Sequence, residues 1–145
     1  LFRLEDGQRN TIGGVPGAVL TPTGSVRLVF SNAGGLTSFL SEDSGLSFSM
    51  ATSDFLISPT GNTVNDPNPM RRASGDYLMV YKITPTGGTS PQDDQAWLAQ
   101  STDTLTWTAV TPDAKIGTLS VPTLVEATDG SLFVYGTSSS SAGGK

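Results

Sequence analysis

The chain has 145 residues, of which 36% are hydrophobic and 8% aromatic, so it can bury a substantial core and its composition argues against intrinsic disorder. Eight basic residues stand against 13 acidic ones, giving a net charge of −5, and no basic cluster lies beside aromatic residues. We therefore expect neither nucleic acid nor an anionic membrane surface as a partner. No apolar run is long enough for a membrane span.

Cysteine and histidine are both absent, which removes the usual ligands of zinc, copper and haem iron. We expect no cofactor, and any metal would be an oxygen-bound ion such as calcium. Only 14% of the residues are charged, and serine, threonine and glycine are abundant. This composition is typical of a secreted or cell-surface bacterial β protein.

Three stretches of the chain share one frame, in which a proline precedes a glycine by eight positions. They are Pro16 to Gly24, Pro67 to Gly75 and Pro122 to Gly130. Each frame leads into a β-prone hydrophobic run, and the glycine between two such runs predicts a tight hairpin turn. The recurrence after 51 and then 55 residues is the period of a propeller blade.

Two further β-prone runs follow in each of the first two units. They are Leu36 to Ser41 and a run from Phe48, then Ala96 to Ser101 and Trp107 to Val110. Four short strands per unit of about fifty residues are the content of one antiparallel blade. The sequence therefore predicts an all-β protein, a β-propeller of four-stranded antiparallel blades. About two and a half blades of a larger or oligomer-completed ring are present.

The repeat divides the chain into four segments. Residues 1–13 are expected to end a preceding blade or to form a lead-in strand, and residues 14–64 to form the first blade repeat. Residues 65–119 are expected to form the second repeat, and residues 120–145 the first half of a third with a tail rich in serine and glycine. A natural fragment of a longer chain, a proteolytic product and a ring completed by several copies are all compatible with this division.

A turn motif stands between the third and fourth runs of both complete units. The residues of its two copies are Ser41, Asp43, Gly45 and Phe48, then Ser101, Asp103 and Trp107. The motif resembles the Asp box of sialidases and bacterial neuraminidase repeats, Ser-x-Asp-x-Gly-x-Thr-Trp. The resemblance implies a propeller in which these residues hold the turn together, because the carboxylate can accept hydrogen bonds from the turn's own N–H groups. Calcium at this turn is the alternative.

Sialidases carry an Arg-Ile-Pro motif on an early inner strand, and the three frames here read Gly14-Val15-Pro16, Asn65-Asp66-Pro67 and Ser120-Val121-Pro122. The arginine is missing from all three, which argues against sialidase activity. The second frame is also similar to the Asp-Pro blade starts of five-bladed glycosidases such as arabinanases and levansucrases. That resemblance implies inner-strand carboxylates that work at the propeller axis, and it makes Asp66 the first candidate.

Residues that differ between the repeats extend the candidate site. The fourth residue after the frame proline is Leu20, Arg71 and Glu126 in turn. Glycoside hydrolysis uses two carboxylates about 5 Å apart for retention or 6.5–9.5 Å apart for inversion, and neighbouring blades could supply Asp66 and Glu126 as that catalytic pair. In the alternative, Asp66 caps its own turn, and Arg71 and Glu126 form an ordinary solvent-facing pair.

Ligand binding is predicted for four further side chains. Asn68, Arg71 and Arg72 follow Asp66 and could bind sugar hydroxyl or acidic groups. Trp97 follows a long insertion and could stack on a sugar ring. Packing between blades is the alternative role for Trp97.

Two functions of different class follow from these patterns. The first is a carbohydrate-active propeller segment, either like a glycoside hydrolase or a degenerate glycan-binding relative, that acts on extracellular glycans. The second is a non-catalytic scaffold or adhesion propeller that makes protein–protein contacts. The expected partners are a glycan or oligosaccharide and either the remainder of the propeller or further copies of the chain.

Overall fold

The computed structural model describes residues 2–4, 9–10, 14–32, 35–55, 62–88, 93–110 and 115–137. The tail of the predicted third repeat, residues 138–145, and part of the predicted insertion, residues 89–92, lie outside this set. The described residues form antiparallel strands joined by turns, which confirms the all-β propeller prediction. No helix in the described part of the chain is long and apolar enough to cross a membrane.

The first blade is a sheet of four strands in chain order, each paired with the next. They are β3 (Gly17–Leu20), β4 (Val26–Asn32), β5 (Gly35–Ser41) and β6 (Ser49–Phe55). A short ribbon of β1 (Phe2–Arg3) and β2 (Arg9–Asn10) precedes it. Leu4 forms a parallel bridge with Phe48, so the amino-terminal segment lies against the first blade.

The second blade has the same order with one addition. Its strands are β7 (Thr63–Arg71), β8 (Tyr77–Thr84), β9 (Gln95–Ser101), β10 (Thr108–Ala109) and β11 (Lys115–Gly117). Both β10 and β11 pair with β9, at Ala99 and Gln100 and at Ala96 and Trp97 respectively. The outer strand position is thus shared by two short strands, where the sequence pattern had indicated one.

The third unit contributes a two-stranded ribbon of β12 (Ser120–Glu126) and β13 (Leu132–Thr137). In all three units the first hairpin turns at the frame glycine, which has a positive φ of 88° at Gly24, 94° at Gly75 and 84° at Gly130. Glycine adopts this conformation without the steric cost that a Cβ atom would bring.

The inner strands β7 and β12 carry the same irregularity just before the frame proline. Asp66 has φ 50° and Val121 has φ 47°, and the pairing register shifts at both places. At each place the inner strand carries one extra residue, which is a bulge, and the positive φ departs from the extended backbone that a following proline favours. A β-branched valine at positive φ is strained, so the surrounding blade imposes this conformation.

Each blade packs through two faces, which we name by direction along the chain. The leading face of the first blade, Val19, Arg27 and Val29, meets the trailing face of the second, Pro69, Tyr77 and Met79. The leading face of the second blade, Met70, Leu78 and Val80, meets Leu124 and Val134 on the trailing face of the third. These two interfaces form most of the core, with a third cluster of Phe30, Phe39 and Phe48 in the first blade.

Candidate functional site

Asp66 lies in the bulge at the start of β7 and is buried, with 8% of its surface exposed. Its Oδ2 atom lies 2.9 Å from the Nζ atom of Lys82, which stands on β8 beside the bulge. Asp94, immediately before β9, places its Oδ2 3.5 Å from the same Nζ, and its Oδ1 accepts a hydrogen bond of 2.7 Å from Thr84. One lysine therefore bridges two buried carboxylates at this end of the second blade.

A polar cleft of about 380 Å³ lies among the loops and strands that follow β8, and its lining does not include Asp66, Lys82 or Asp94. It is bounded by the Pro85–Gly88 turn after β8, by Asp93 and Gln95 on either side of Asp94, and by Lys115 and Thr118. This volume lies within the range of small-ligand sites. Carboxylate, amide, ammonium and hydroxyl groups all line it, so it can offer both donors and acceptors to a ligand.

Trp97 makes a hydrogen bond to Gln95, one of the residues that line this cleft. Its indole Nε1 donates to the Oε1 atom of Gln95 at 3.3 Å, and Lys115 on β11 lies directly opposite it in the sheet. The ring is partly buried and packs against the core between the first two blades. Its contacts thus match the packing alternative, while its sugar-stacking role stays a prediction.

Glu126 is the last residue of the inner strand β12. Its Oε2 accepts a hydrogen bond of 2.7 Å from the backbone N–H of Ala73, and its Oε1 lies 3.4 Å from Nε of Arg72. Only 9% of the Glu126 side chain is exposed. Its partner is therefore Arg72, in a largely buried contact, whereas the solvent-facing alternative had paired it with Arg71.

The contacts of Asp66 and Glu126 place them near opposite ends of the inner strands. Asn68 accepts hydrogen bonds from Thr123 at 3.1 Å and from the N–H of Leu124 at 3.3 Å, so β7 and β12 run side by side. Because a strand rises about 3.3 Å per residue, the stretch from Asp66 to Arg71 spans on the order of 15 Å. This geometry does not favour the predicted pairing of the two carboxylates across one scissile bond, and their catalytic roles stay a prediction.

The other predicted ligand-binding residues divide between internal and exposed positions. Asn68 and Arg72 both make contacts with the third blade, as described above. Arg71 is exposed at the end of β7. The structure therefore does not gather Asn68, Arg71 and Arg72 around Asp66.

The two aspartate turns lie between the third and fourth strands. In the first, Asp43 accepts hydrogen bonds from the N–H groups of Leu46 and Ser47 and from the hydroxyls of Ser41 and Ser47. Gly45, at φ 89°, donates its N–H to Ser41. The hydroxyl of Ser41, first, and that of Ser47 hold the pKa of Asp43 well below its ordinary value.

The second turn repeats this arrangement in fewer residues. Asp103 accepts from the N–H groups of Thr106 and Leu105, which lower its pKa, and its partner Ser101 receives the N–H of Thr104. Thr104, at φ 66°, occupies the left-handed position that Ser44 holds in the first turn. Phe48 and Trp107 are both buried behind their turns, and Trp107 donates its Nε1–H to the carbonyl of Thr104.

Among the residues that the structure describes, no group of three or more acidic side chains could hold a metal ion. Calcium binding at the aspartate turns stays a prediction. The sequence patterns did not single out Lys82 and Asp94. The only available signal concerned Lys82. It follows Leu78 and Val80 with period two, so it lies on the same face of the predicted strand as these two residues.

Comparisons with known proteins concern the fold. No family model matches the sequence, and no curated protein matches it. Among solved structures, a xylan beta-1,4-xylosidase from Bacillus halodurans is similar with a TM-score of 0.67 and 15% identity over 86% of this chain. An arabinanase from Bacillus subtilis is similar with a TM-score of 0.61 and 17% identity, also over 86%.

At this identity the likeness shows the fold, and it supports the resemblance to glycosidase propellers without singling out sialidases. The chain spans 27% of the xylosidase and 47% of the arabinanase.

Proposed function

We propose that this chain is a carbohydrate-active propeller segment that binds a glycan. The observation that carries the proposal is the likeness of 86% of the chain to two β-propellers whose names identify them as glycosidases. The Asp-Pro frame at Asp66, noted first in the sequence, adds support because its strained bulge is a feature that functional sites often retain. In keeping with the composition, the glycan would be extracellular and the source bacterial.

The glycan site that we propose is the polar cleft between the Pro85–Gly88 turn and Lys115. Gln95 and Lys115 come from neighbouring strands, and the Pro85–Gly88 turn also lines the cleft. Loops carried by a rigid sheet are where binding groups usually lie. A neutral sugar needs many hydrogen bonds and no formal charge partner, which this mixture of donors and acceptors can supply.

The contacts of Asp66 and Glu126 favour glycan binding without hydrolysis. A glycosidase needs two carboxylates within about 9.5 Å of each other, at the scissile bond. Asp66 is held by Lys82, and Glu126 by Ala73 and Arg72. Hydrolysis by this pair would require both sets of contacts to be released, so the degenerate, glycan-binding relative is the better proposal.

The test is a titration of the ¹⁵N-labelled protein with xylo-oligosaccharides and arabino-oligosaccharides, followed by NMR. We expect shifts of the amide signals of Gln95, Lys115 and the Pro85–Gly88 turn. Gln95→Ala should weaken binding by about tenfold, which corresponds to the loss of roughly one well-made hydrogen bond. Gln100→Ala, an exposed glutamine on the same strand, is the matched control and should bind as the unchanged protein does.

A scaffold or adhesion propeller is the second candidate, because both candidate carboxylates make internal contacts. A panel of aryl glycosides separates the classes further. Turnover lost in both Asp66→Asn and Glu126→Gln would restore the hydrolase assignment. If neither sugar series shifts any amide signal and no aryl glycoside is cleaved, the scaffold function replaces the glycan proposal.

A further inference from the structure

Two polar residues adjoin, in the chain, the residues that line the polar cleft, although neither lines it itself. Thr84 is the last residue of β8 and precedes Pro85, while Asp94 stands between Asp93 and Gln95. The hydroxyl of Thr84 donates a hydrogen bond of 2.7 Å to Oδ1 of Asp94. This contact therefore joins the two chain segments that reach the cleft at Pro85 and at Gln95.

Asp94 is fixed through its other oxygen by Lys82. Its Oδ2 lies 3.5 Å from Nζ of Lys82, and the same Nζ lies 2.9 Å from Oδ2 of Asp66 in the bulge of β7. The exposed side-chain fractions of Lys82, Asp66 and Asp94 are 16%, 10% and 7%, so water competes little for these contacts. With both carboxylate oxygens engaged, Asp94 restrains the backbone on either side of it.

The turn after β8 is held by three further contacts. The N–H of Gly88 donates to the carbonyl of Pro85 at 2.9 Å. The N–H of Thr86 donates at 3.0 Å to Oδ1 of Asn62, which lies directly before β7. Gly88 also approaches Asp93 closely, because an ideal Cβ atom on this glycine would lie 3.0 Å from Cβ of Asp93. The turn is thus fixed both to the segment before β7 and to the segment before β9.

We propose that Asp94 is a positioning residue of the glycan cleft and that Thr84 and Lys82 hold it in place. The inference rests on the proposed function, since it assigns these residues to glycan binding through Gln95 and the turn, without contact with the sugar. Binding groups that are already fixed lose less conformational entropy when a ligand binds, which strengthens binding without an added contact. A neutral oligosaccharide depends on this most, because its hydrogen bonds need donors and acceptors at set separations.

Thr84 offers the sharpest test because its hydroxyl can be removed with little change in side-chain size. Thr84→Val removes the donor to Asp94, and Thr84→Ser keeps it. In titrations with the xylo-oligosaccharide or arabino-oligosaccharide that the unchanged protein binds, we expect Thr84→Val to bind roughly three- to tenfold more weakly and Thr84→Ser to retain the affinity. Thr108→Val, at an exposed threonine on β10 outside the cleft, is the matched control and should also retain the affinity.

Relaxation of the ¹⁵N amide signals, recorded without sugar, measures the positioning itself. Thr84→Val should lower the order parameters of Gly88 and Gln95, which report motion on the picosecond to nanosecond timescale. Thr84→Ser and Thr108→Val should leave these order parameters unchanged. Urea unfolding of each variant gives its stability, so that weaker binding can be separated from partial loss of the fold.

Asn62 provides a second pair of variants that leaves the buried cluster intact. Asn62→Ala removes the acceptor of the Thr86 N–H, whereas Asn62→Asp keeps an oxygen in its place. We expect lower order parameters at Gly88 and roughly three- to tenfold weaker binding from Asn62→Ala alone. This pair replaces the Thr84 variants if circular dichroism shows that Thr84→Val does not fold.

Two results would overturn the inference. They are order parameters of Gly88 and Gln95 that Thr84→Val leaves unchanged, and a Thr84→Val protein that is less stable but binds the glycan as before. If the unchanged protein binds neither sugar series, the proposed function fails on its own. The order parameters then still decide the positioning role, because a loss in Thr84→Val that Thr84→Ser does not show supports it and no loss refutes it.

Discussion

Arg72 on the second blade and Glu126 on the third lie 3.4 Å apart, from Nε to Oε1, and Ala73 adds a backbone N–H at 2.7 Å to the same carboxylate. The residue that the sequence offered as a catalytic acid thus joins two blades. Asn68 makes a similar connection through Thr123 and Leu124. Polar contacts between inner strands fix how far one blade is shifted along the strand direction relative to the next. Apolar packing is less directional and defines this shift less sharply.

Glu126→Gln distinguishes this connecting role from catalysis. The substitution keeps the shape but removes the charge that attracts Arg72, so we expect a loss of about 1 kcal/mol in the free energy of unfolding, measured in urea. Glu42→Gln, on an exposed turn, is the matched control and should change it little. Unaltered stability combined with lost turnover of an aryl glycoside would identify Glu126 as catalytic instead.

Acid sensitivity should arise from the aspartate turns. The folded pKa of Asp43 lies below its ordinary value of 3.8, and that of Asp103 is also lowered. Their contribution to stability is therefore fully present above the unfolded pKa and is lost as the pH falls below about 4, since the unfolded state then binds more protons. We expect the urea concentration at the midpoint of unfolding to decrease as the pH is lowered from 5 to 2.

The comparison that tests this origin is Asp43→Asn, which cannot titrate at that position. Its urea midpoint should be lower than that of the unchanged protein at pH 6, and the difference should narrow toward pH 2. Leu46→Ala in the same turn keeps the carboxylate and should show the original pH dependence. A constant difference across the whole pH range would mean that Asp43 does not stabilise the turn through its charge.

The sequence was informative wherever a structural feature is local. The proline and glycine of each frame predicted the hairpins at Gly24, Gly75 and Gly130, because a tight turn needs the φ that glycine allows. The frame also showed that the residue before the proline is Asp66 in the second repeat and Val121 in the third. It did not indicate that both residues adopt positive φ, since a bulge depends on how the neighbouring strand pairs.

Contacts between residues far apart in the sequence, within a blade or between two blades, could not be predicted in this way. Lys82 and Asp94 are separated from Asp66 by a hairpin and a loop, and Glu126 reaches Arg72 only because two sheets stack at a particular height. No local conformational propensity determines the relative position of two stacked sheets. The sequence therefore identified Asp66 as a candidate but did not identify its partners Lys82 and Asp94. It also predicted Asp66 and Glu126 closer together than their contacts place them.

Gly17→Ala should be strongly destabilising because the first two blades approach each other closely at this residue. An ideal Cβ atom on Gly17 would lie 2.2 Å from the carbonyl oxygen of Pro67 and 2.4 Å from Cδ of Pro69. Neither atom can move without shifting β7, so we expect a loss of about 2–3 kcal/mol in the free energy of unfolding. Gly117→Ala is the control, since its nearest contact is 3.9 Å away. Equal urea midpoints for the two variants would contradict the close packing of the blades.

Arg27 is buried in the leading face of the first blade, where the second blade has Leu78. Its Nε donates to the hydroxyl of Thr104 at 3.0 Å and its Nη1 to that of Ser38 at 3.0 Å. Burial lowers the pKa of Arg27, and the nearby Asp103 partly offsets this. Arg27→Ala leaves a cavity and two hydroxyls without their donor, so we expect a loss of about 2–4 kcal/mol in the free energy of unfolding.

Two further variants show whether the charge or the packing of Arg27 matters more. Arg27→Leu places the residue of the second blade at the equivalent position and should recover part of the loss, because buried polar contacts are often replaceable by apolar packing. Arg71→Ala removes an exposed arginine and should have little effect on urea unfolding. If Arg27→Leu is as unstable as Arg27→Ala, the hydrogen bonds to Thr104 and Ser38 stabilise the junction of the two blades; full recovery would assign that stability to packing alone.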